Sequence, residues 1–191
     1  MGRVVVSEFL TLDGVMEDPG GSEGSERGGW AFQFERGPEG DKFKLDEVLT
    51  SDALLLGRVT YQGFAEAWPS RTDEIGFAAK MNSMPKFVVS KTLEEGKWNN
   101  SSVLRGNVED EVSKLKQQVG GDILINGSAE LVQTLMEHNL IDELRLMVFP
   151  VVLGKGKRLF KAGSAKTALR LVEAKPAGAC LILTYQPAEK A

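Results

Sequence analysis

The feature that most constrains this chain is an alternation. Short β-branched apolar runs take turns with stretches whose apolar residues recur every three or four positions. Runs of the first kind read as strands covered on both faces, and stretches of the second as amphipathic helices. Residues 3–10 (Arg3-Val-Val-Val-Ser-Glu-Phe-Leu10), 53–56, 86–90 and 122–126 are the buried strands, with a weaker one at 102–104. Helices are predicted from Pro38 (Phe43, Leu45, Val48, Leu49), over 58–67 (Val59, Phe64, then Trp68), over 107–119 (Val108, Val112, Leu115, Val119), and from Gly127-Ser128 to His138-Asn139. Residues 141–152 read as one long strand. Residues 169–175 and 179–185, separated by Pro176-Ala-Gly178, read as a C-terminal hairpin. Strands alternating with helices in this way imply an α/β fold. Its sheet is mostly parallel, with helices on both faces, and the hairpin adds antiparallel strands at one edge. No repeat and no linker divides the chain, so 1–191 reads as a single domain.

One stretch breaks the pattern. The stretch from Gly14 to Gly29 holds six glycines, those two included, around Asp18-Pro19-Gly20-Gly21, a composition that predicts no regular element. Loops of this length are commonly lids over a site, or disordered.

Composition removes several function classes. With one cysteine (Cys180) and one histidine (His138), an intrachain disulfide and a Cys/His zinc cage in a monomer are excluded. A Ser-His-Asp or Cys-His site would have to use these two residues. No metal is expected. Basic residues number 23 against 27 acidic, a net charge of −4, which argues against a nucleic-acid surface. No apolar run approaches membrane-spanning length. Met1-Gly2-Arg3-Val4 leads straight into a strand, with no signal-peptide pattern. The expectation is a soluble cytoplasmic protein. His138, near a helix end, reads as a cap or a surface group, and Cys180 as a core thiol.

Ligands of open α/β sheets bind beyond the carboxyl ends of the strands. Three such ends here carry suitable chemistry. Leu56-Gly57-Arg58-Val59-Thr60 joins a glycine, a helix start, a forked cation and a hydroxyl. Val89-Ser90-Lys91-Thr92 flanks an ammonium with two hydroxyls, and Ile125-Asn126-Gly127-Ser128-Ala129 is again strand, glycine and helix start. Each alone is an ordinary turn, and none matches a Walker loop or G-x-G-x-x-G. Together they suit a doubly phosphorylated ligand such as a dinucleotide.

These segments, in this order, carry a resemblance. Thr11-Leu12-Asp13-Gly14, Leu55-Leu56-Gly57-Arg58-Val59-Thr60-Tyr61, Lys86 to Leu93, Ile125 to Leu131, Leu140 to Leu144 and Phe149 to Gly156 match the dihydrofolate reductase superfamily. More narrowly, the chain resembles bacterial proteins akin to the reductase domain of the riboflavin-biosynthesis deaminase-reductase. The resemblance implies a dihydrofolate reductase-like three-layer fold and an NADPH-dependent reductase, expected to be a homodimer. Hydride would pass to a small heteroaromatic substrate, pterin- or aminopyrimidine-like. The activity would be of 5-amino-6-(5-phosphoribosylamino)uracil reductase or dihydrofolate reductase type. By that analogy Gly57, Arg58, Val59 and Thr60 hold the pyrophosphate and adenosine end. Ser90, Lys91 and Thr92 meet the 2′-phosphate. Gly127, Ser128, Ala129, Glu130 and Leu131 line the other side of the pyrophosphate, and Met16 approaches the nicotinamide from the glycine-rich lid at about 14–29. A cis peptide between Asn126 and Gly127 is expected. Asp41 falls where dihydrofolate reductases carry the carboxylate that orients the pterin, with Asp46 and Glu47 as alternatives. The Asp-Asp-Pro of the riboflavin branch is missing after Gly57-Arg58-Val59-Thr60, which leaves the substrate unnamed. A competing reading is a nucleotide-binding or sensing module that keeps the dinucleotide site without catalysis.

Overall fold

A computed structural model describes residues 1–188. Arg3–Thr11 (β1) is β-branched along its first half, which suits a strand covered on both faces. Val4, Val5 and Val6 are completely buried. The chain continues through α1 (Gly37–Thr50), β2 (Ser51–Gly57), α2 (Arg58–Ala67), α3 (Phe77–Ser83), β3 (Lys86–Val89), β4 (Ser101–Leu104), α4 (Val108–Gln118) and β5 (Asp122–Asn126). It ends with α5 (Ala129–Glu137), β6 (Glu143–Phe149), β7 (Leu169–Ala177) and β8 (Cys180–Pro187). The sheet order is β4-β3-β2-β5-β1-β6-β8-β7. Strands β4 to β6 in that order are parallel, and β8 runs antiparallel to β6 and β7.

The two-residue period of the strands sorts the core into layers. Val5, Leu54, Leu56, Val88 and Leu124 face Val48 of α1, Tyr61 of α2 and Met81 of α3. Val4, Val6, Ala53, Leu55, Ile123 and Ile125 face Val112 and Leu115 of α4 and Val132 and Leu135 of α5. A third cluster, with Trp30, Phe149, Cys180 and Ile182, lies beneath the hairpin. This is the three-layer α/β architecture predicted from the alternation. Among the described residues no helix is long and apolar enough to cross a membrane.

Three boundaries differ from the pattern reading. The strand predicted over 141–152 is only Glu143–Phe149. At its start the Asp142 carboxylate leaves the ladder pattern to take the Val4 N–H (2.7 Å), and at its end Pro150 offers no donor. The hairpin strands run further than predicted, to Ala177 and Pro187, so Gly178-Ala179 is the turn. Helix α3 was not predicted. Its seven residues are too few to show a period, and what starts it is a side chain upstream: the Asp73 carboxylate accepts the N–H groups of Phe77 (2.9 Å) and Ala78 (2.6 Å). A buried cation ties α3 to the sheet. Lys86, 0% exposed, donates to the carbonyls of Asn82 (2.6 Å) and Asn99 (3.0 Å) and lies 4.2 Å from the Trp98 ring centre. Burial lowers its pKa to about 8.

Candidate functional site

Strand register sets the floor of the site. Gly57 pairs with Val89, so β2 and β3 end level, and Ser7 pairs with Asn126, so β1 runs four residues past the end of β5. Above this step lies a cleft of about 1220 Å³. Fourteen site residues predicted from the sequence line it: Gly57, Arg58, Val59 and Thr60 at β2; Ser90, Lys91 and Thr92 at β3; Gly127, Ser128, Ala129, Glu130 and Leu131 at β5; Met16 from the lid; and Asp41 from α1, while the alternatives Asp46 and Glu47 do not.

Two helix N-termini open into the cleft. Gly57 precedes α2 in an extended conformation, and no side chain caps that helix. Ser128 precedes α5 and does not cap it either, because its Oγ accepts the Gly57 N–H (2.8 Å). That bond fastens the end of β2 to the end of β5. The first-turn N–H groups of both helices therefore lack a side-chain cap, a configuration that favours an anion. Gly127 (φ +71°) and Ser128 (φ +67°) are both left-handed. A Cβ on Gly127 would lie 3.0 Å from Thr60 Cγ2, so the two loops touch at that point. The cis peptide expected at Asn126-Gly127 is not found, and all described peptide bonds are trans. Two consecutive left-handed residues turn the chain instead.

Cations border these helix ends. Arg58 donates to Gln62 Oε1 (3.0 Å) along α2, and Lys91 is exposed. Neither has a carboxylate partner among the described residues. Ser90 Oγ accepts the N–H groups of Thr92 (3.2 Å) and Leu93 (3.0 Å). The resulting turn sets the position of Lys91 and Thr92 and leaves the Ser90 hydroxyl proton free to donate.

As expected, the glycine-rich lid carries no helix or strand over 14–29, and its own hydrogen bonds give it a defined fold. The Asp18 carboxylate accepts the N–H groups of Glu23 and Ser25 (3.0 Å each), and its carbonyl accepts those of Gly21 (3.2 Å) and Gly29 (2.9 Å). A Cβ on Gly28 would lie 2.2 Å from Asp18 Oδ2, so this packing requires glycine there. A 3-10 helix, Trp30–Gln33, closes the loop, with the Trp30 indole donating to the Glu17 carbonyl (2.9 Å). The lid is also fastened to the 153–158 segment. Val15 bridges Arg158, the Met16 N–H donates to the Lys157 carbonyl (2.8 Å), and Lys155 pairs with Glu26 (2.6 Å).

At the root of the lid, the Asp13 carboxylate accepts from the Thr11 hydroxyl (2.6 Å) and from the N–H groups of Gly154 (2.8 Å) and Leu153 (3.2 Å). These bonds, the Thr11 one foremost, lower its pKa to about 2. A depressed carboxyl pKa adds stability that is complete above the unfolded value, about 3.9, and disappears as pH falls through the folded one. Asp13→Asn should therefore be less stable at neutral pH and lose less stability than the parent between about pH 4 and pH 2. Urea unfolding across that range measures it, and parallel curves for the two proteins would refute the assignment.

The other half of the cleft is built on α1. Asp41, Lys44 and Leu45 face it at helical spacing. The Asp41 side chain is 66% exposed and pairs with Arg36 Nε (2.6 Å). Lys44 pairs with Glu47, donates to Ser7 Oγ (2.9 Å) and lies 5.1 Å from the Phe9 ring centre. Ser7 in turn donates to Glu47 Oε1 (2.9 Å). Asp46 points away to pair with Lys42. Arg71 stacks over Trp68, 4.7 Å from the ring centre, at the cleft wall.

The sequence reading did not single out the buried acid of the lining. Glu8, 5% exposed, accepts the Gly127 N–H at Oε2 (3.0 Å), while its Oε1 has no partner among the described residues. Burial drives its carboxyl well above the usual range, against the opposing effects of the Gly127 bond and of Lys44. A signal existed in the sequence: Glu8 shares the buried face of Val4, Val6 and Leu10, where a carboxylate is out of place.

Comparison with known proteins agrees with this architecture. The RibD C-terminal domain family matches residues 3–183. The chain belongs to that family. Two relatives from Bacillus subtilis (strain 168) are the uncharacterized proteins YyaP and YwjB. YyaP is 31% identical over 173 residues, covering 89% of this chain and 86% of that one. YwjB is 30% identical over 183 residues, covering 96% and 97%. Among solved structures, this RibD C-terminal domain is similar to a protein assigned by name to riboflavin biosynthesis, from Shewanella sp. PV-4. The TM-score is 0.77 at 21% identity, over 98% and 99% of the two chains. It is also similar to dihydrofolate reductase from Enterococcus faecalis complexed with NADP(H), with a TM-score of 0.58 at 16% identity over 98% and 97%. For the deaminase/reductase of Thermotoga maritima the TM-score is 0.65 at 15% identity, and the match spans 98% of this chain but 57% of that one. These likenesses show that the fold is dihydrofolate reductase-like.

Proposed function

We propose that this RibD C-terminal domain is an NADPH-dependent reductase of a small heteroaromatic substrate, pterin- or aminopyrimidine-like. The observation that carries the reading is the convergence on one cleft of two uncapped helix N-termini and two cations, Arg58 and Lys91, that have no carboxylate partner among the described residues. Such a cradle fits a diphosphate, with Lys91 placed for a further phosphate at the β3 end. When bound, the cofactor supplies a hydride. The chain's own residues hold its phosphates, cover it with the lid through Met16, and offer the substrate a half-cleft walled by Phe9, Phe32 and Trp68. The same half-cleft favours this reading over a binding module without catalysis, because a nucleotide site alone leaves that volume without a use.

The test is a titration with NADPH and, separately, NADH, read by intrinsic fluorescence, since Trp68 lines the cleft. NADPH is expected to bind at about micromolar Kd and NADH more weakly. No saturable binding of either would refute the proposal. NADPH oxidation is then followed against pterins and aminopyrimidines, and tight binding without oxidation by any of them would favour the binding module.

A further inference from the structure

The cofactor cradle leaves Glu8 unexplained. Neighbouring strands lie about 4.8 Å apart, and β3, β2, β5 and β1 are consecutive in the sheet. With the 2′-phosphate at β3 and the pyrophosphate between the helices that follow β2 and β5, the nicotinamide end falls over β1. There the cleft presents Glu8 on its floor and Met16 from the lid. Glu8 Oε2 is held by the Gly127 N–H, and Oε1, buried beneath the cleft surface, has no hydrogen-bond partner among the described residues. An ionised carboxylate buried with one oxygen free is costly. The neutral acid is the favoured state, and its hydroxyl is then a donor with no acceptor among the described residues.

The surrounding charges do not reverse this. On α1, Lys44 is engaged by Glu47 and Ser7, so its ammonium is already matched by a carboxylate. The lid and α5 bring Glu17, Glu23 and Glu130 to the same cleft, and Arg58, Lys91 and Lys157 match them in number, so the charges around it are mixed. Lys44 favours the Glu8 anion and Glu47 opposes it, and burial outweighs both.

Resting on the cofactor reading above, the geometry points to Glu8 as a specificity-determining residue, a neutral carboxylic acid whose Oε1 hydroxyl donates to the carboxamide oxygen of the nicotinamide. Glu8 thereby reads the reactive end of the cofactor, while Lys91 and the helix N-termini read the phosphates.

Two probes and two variants test this. Adenosine 2′,5′-bisphosphate carries the adenosine end alone, and NADPH carries both ends. Infrared difference spectra of the full chain should show a protonated-carboxyl band at neutral pH that is missing in Glu8→Gln. The band should shift on addition of NADPH and stay in place with adenosine 2′,5′-bisphosphate. Glu8→Gln keeps a neutral donor and should bind NADPH within about threefold of the parent. Glu8→Leu should lose about tenfold in NADPH affinity and nothing in adenosine 2′,5′-bisphosphate affinity. A Glu8 carboxylate at neutral pH, a band indifferent to NADPH, or equal losses of both probes in Glu8→Leu would overturn the inference. Equal losses would mean that Glu8 merely pins the Gly127 turn. A parent protein that binds neither probe would overturn the cofactor reading itself, and this inference with it, even where the protonated band is seen.

Discussion

Replacing Lys91 with alanine is expected to weaken NADPH binding by about 10- to 100-fold and NADH binding by less than about threefold. A charge-assisted hydrogen bond contributes about 1.5–3 kcal/mol, and each 1.4 kcal/mol is a factor of ten. The asymmetry comes from position. Lys91 lies beyond β3, two strands from β5, on a turn organised by Ser90, and has no carboxylate partner among the described residues to compete for it. Arg58, which sits at the helix N-terminus of α2, should by contrast affect both dinucleotides when removed. Parallel titrations of the two cofactors decide the matter. Equal losses for NADPH and NADH in Lys91→Ala would remove the 2′-phosphate from the β3 end of the cleft.

The largest effect on stability is expected at Gly178. Its φ is +56°, and a Cβ there would lie 2.3 Å from the Glu35 carbonyl oxygen, 2.6 Å from the Arg36 carbonyl carbon and 2.7 Å from the Gly37 nitrogen. All three are backbone atoms, so no side chain can swing aside. They also lead into α1, and the Ala179 N–H donates to that same Glu35 carbonyl (2.8 Å). The left-handed conformation alone costs a residue with a side chain about 1 kcal/mol, and the clash must push the hairpin from the start of α1. Gly178→Ala should lose roughly 3–5 kcal/mol, lowering Tm by roughly 10–15 °C for a chain of this size. Gly63→Ala is the control. It sits on α2 with nothing within 4 Å of the new methyl, and should melt at or slightly above the parent temperature. Indistinguishable melting of Gly178→Ala and parent would show that the hairpin turn does not bear on α1.

The sheet was legible because each central strand announces itself without its neighbours. Val4-Val5-Val6, Leu54-Leu55-Leu56 and Ile123-Leu124-Ile125 are apolar on both faces, a pattern that parallel strands between helices produce. The residues around the cleft were legible for a related reason. Gly57, Ser90 and Gly127 each follow such a run directly, so chain order alone places them at one rim of the sheet. What escaped rests on particular side-chain contacts that hydrophobic periodicity does not encode. Helix α3 begins on a carboxylate four residues upstream and is too short to show a period. The fold of the lid depends on a single aspartate that collects N–H groups from residues five and seven positions away. Glu8 was read as part of a buried strand, correctly, but its meaning depends on a register with β5 that no local pattern contains.

The internal folding of the lid bears on how tightly a ligand can be held. Fixing the backbone of one residue costs roughly 1–2 kcal/mol, so ordering a dozen loose residues on binding would cancel much of what a phosphate cradle contributes. Around Asp18 that ordering has already taken place, and the bonds among Asp13, Glu26, Leu153, Lys155 and Arg158 anchor the loop to the segment that follows β6. A ligand entering beneath Met16 thus meets a wall and not a tether. Its affinity reflects the contacts it makes, with little discount for organising the protein around it, and closing the cleft becomes a small adjustment of a preassembled piece.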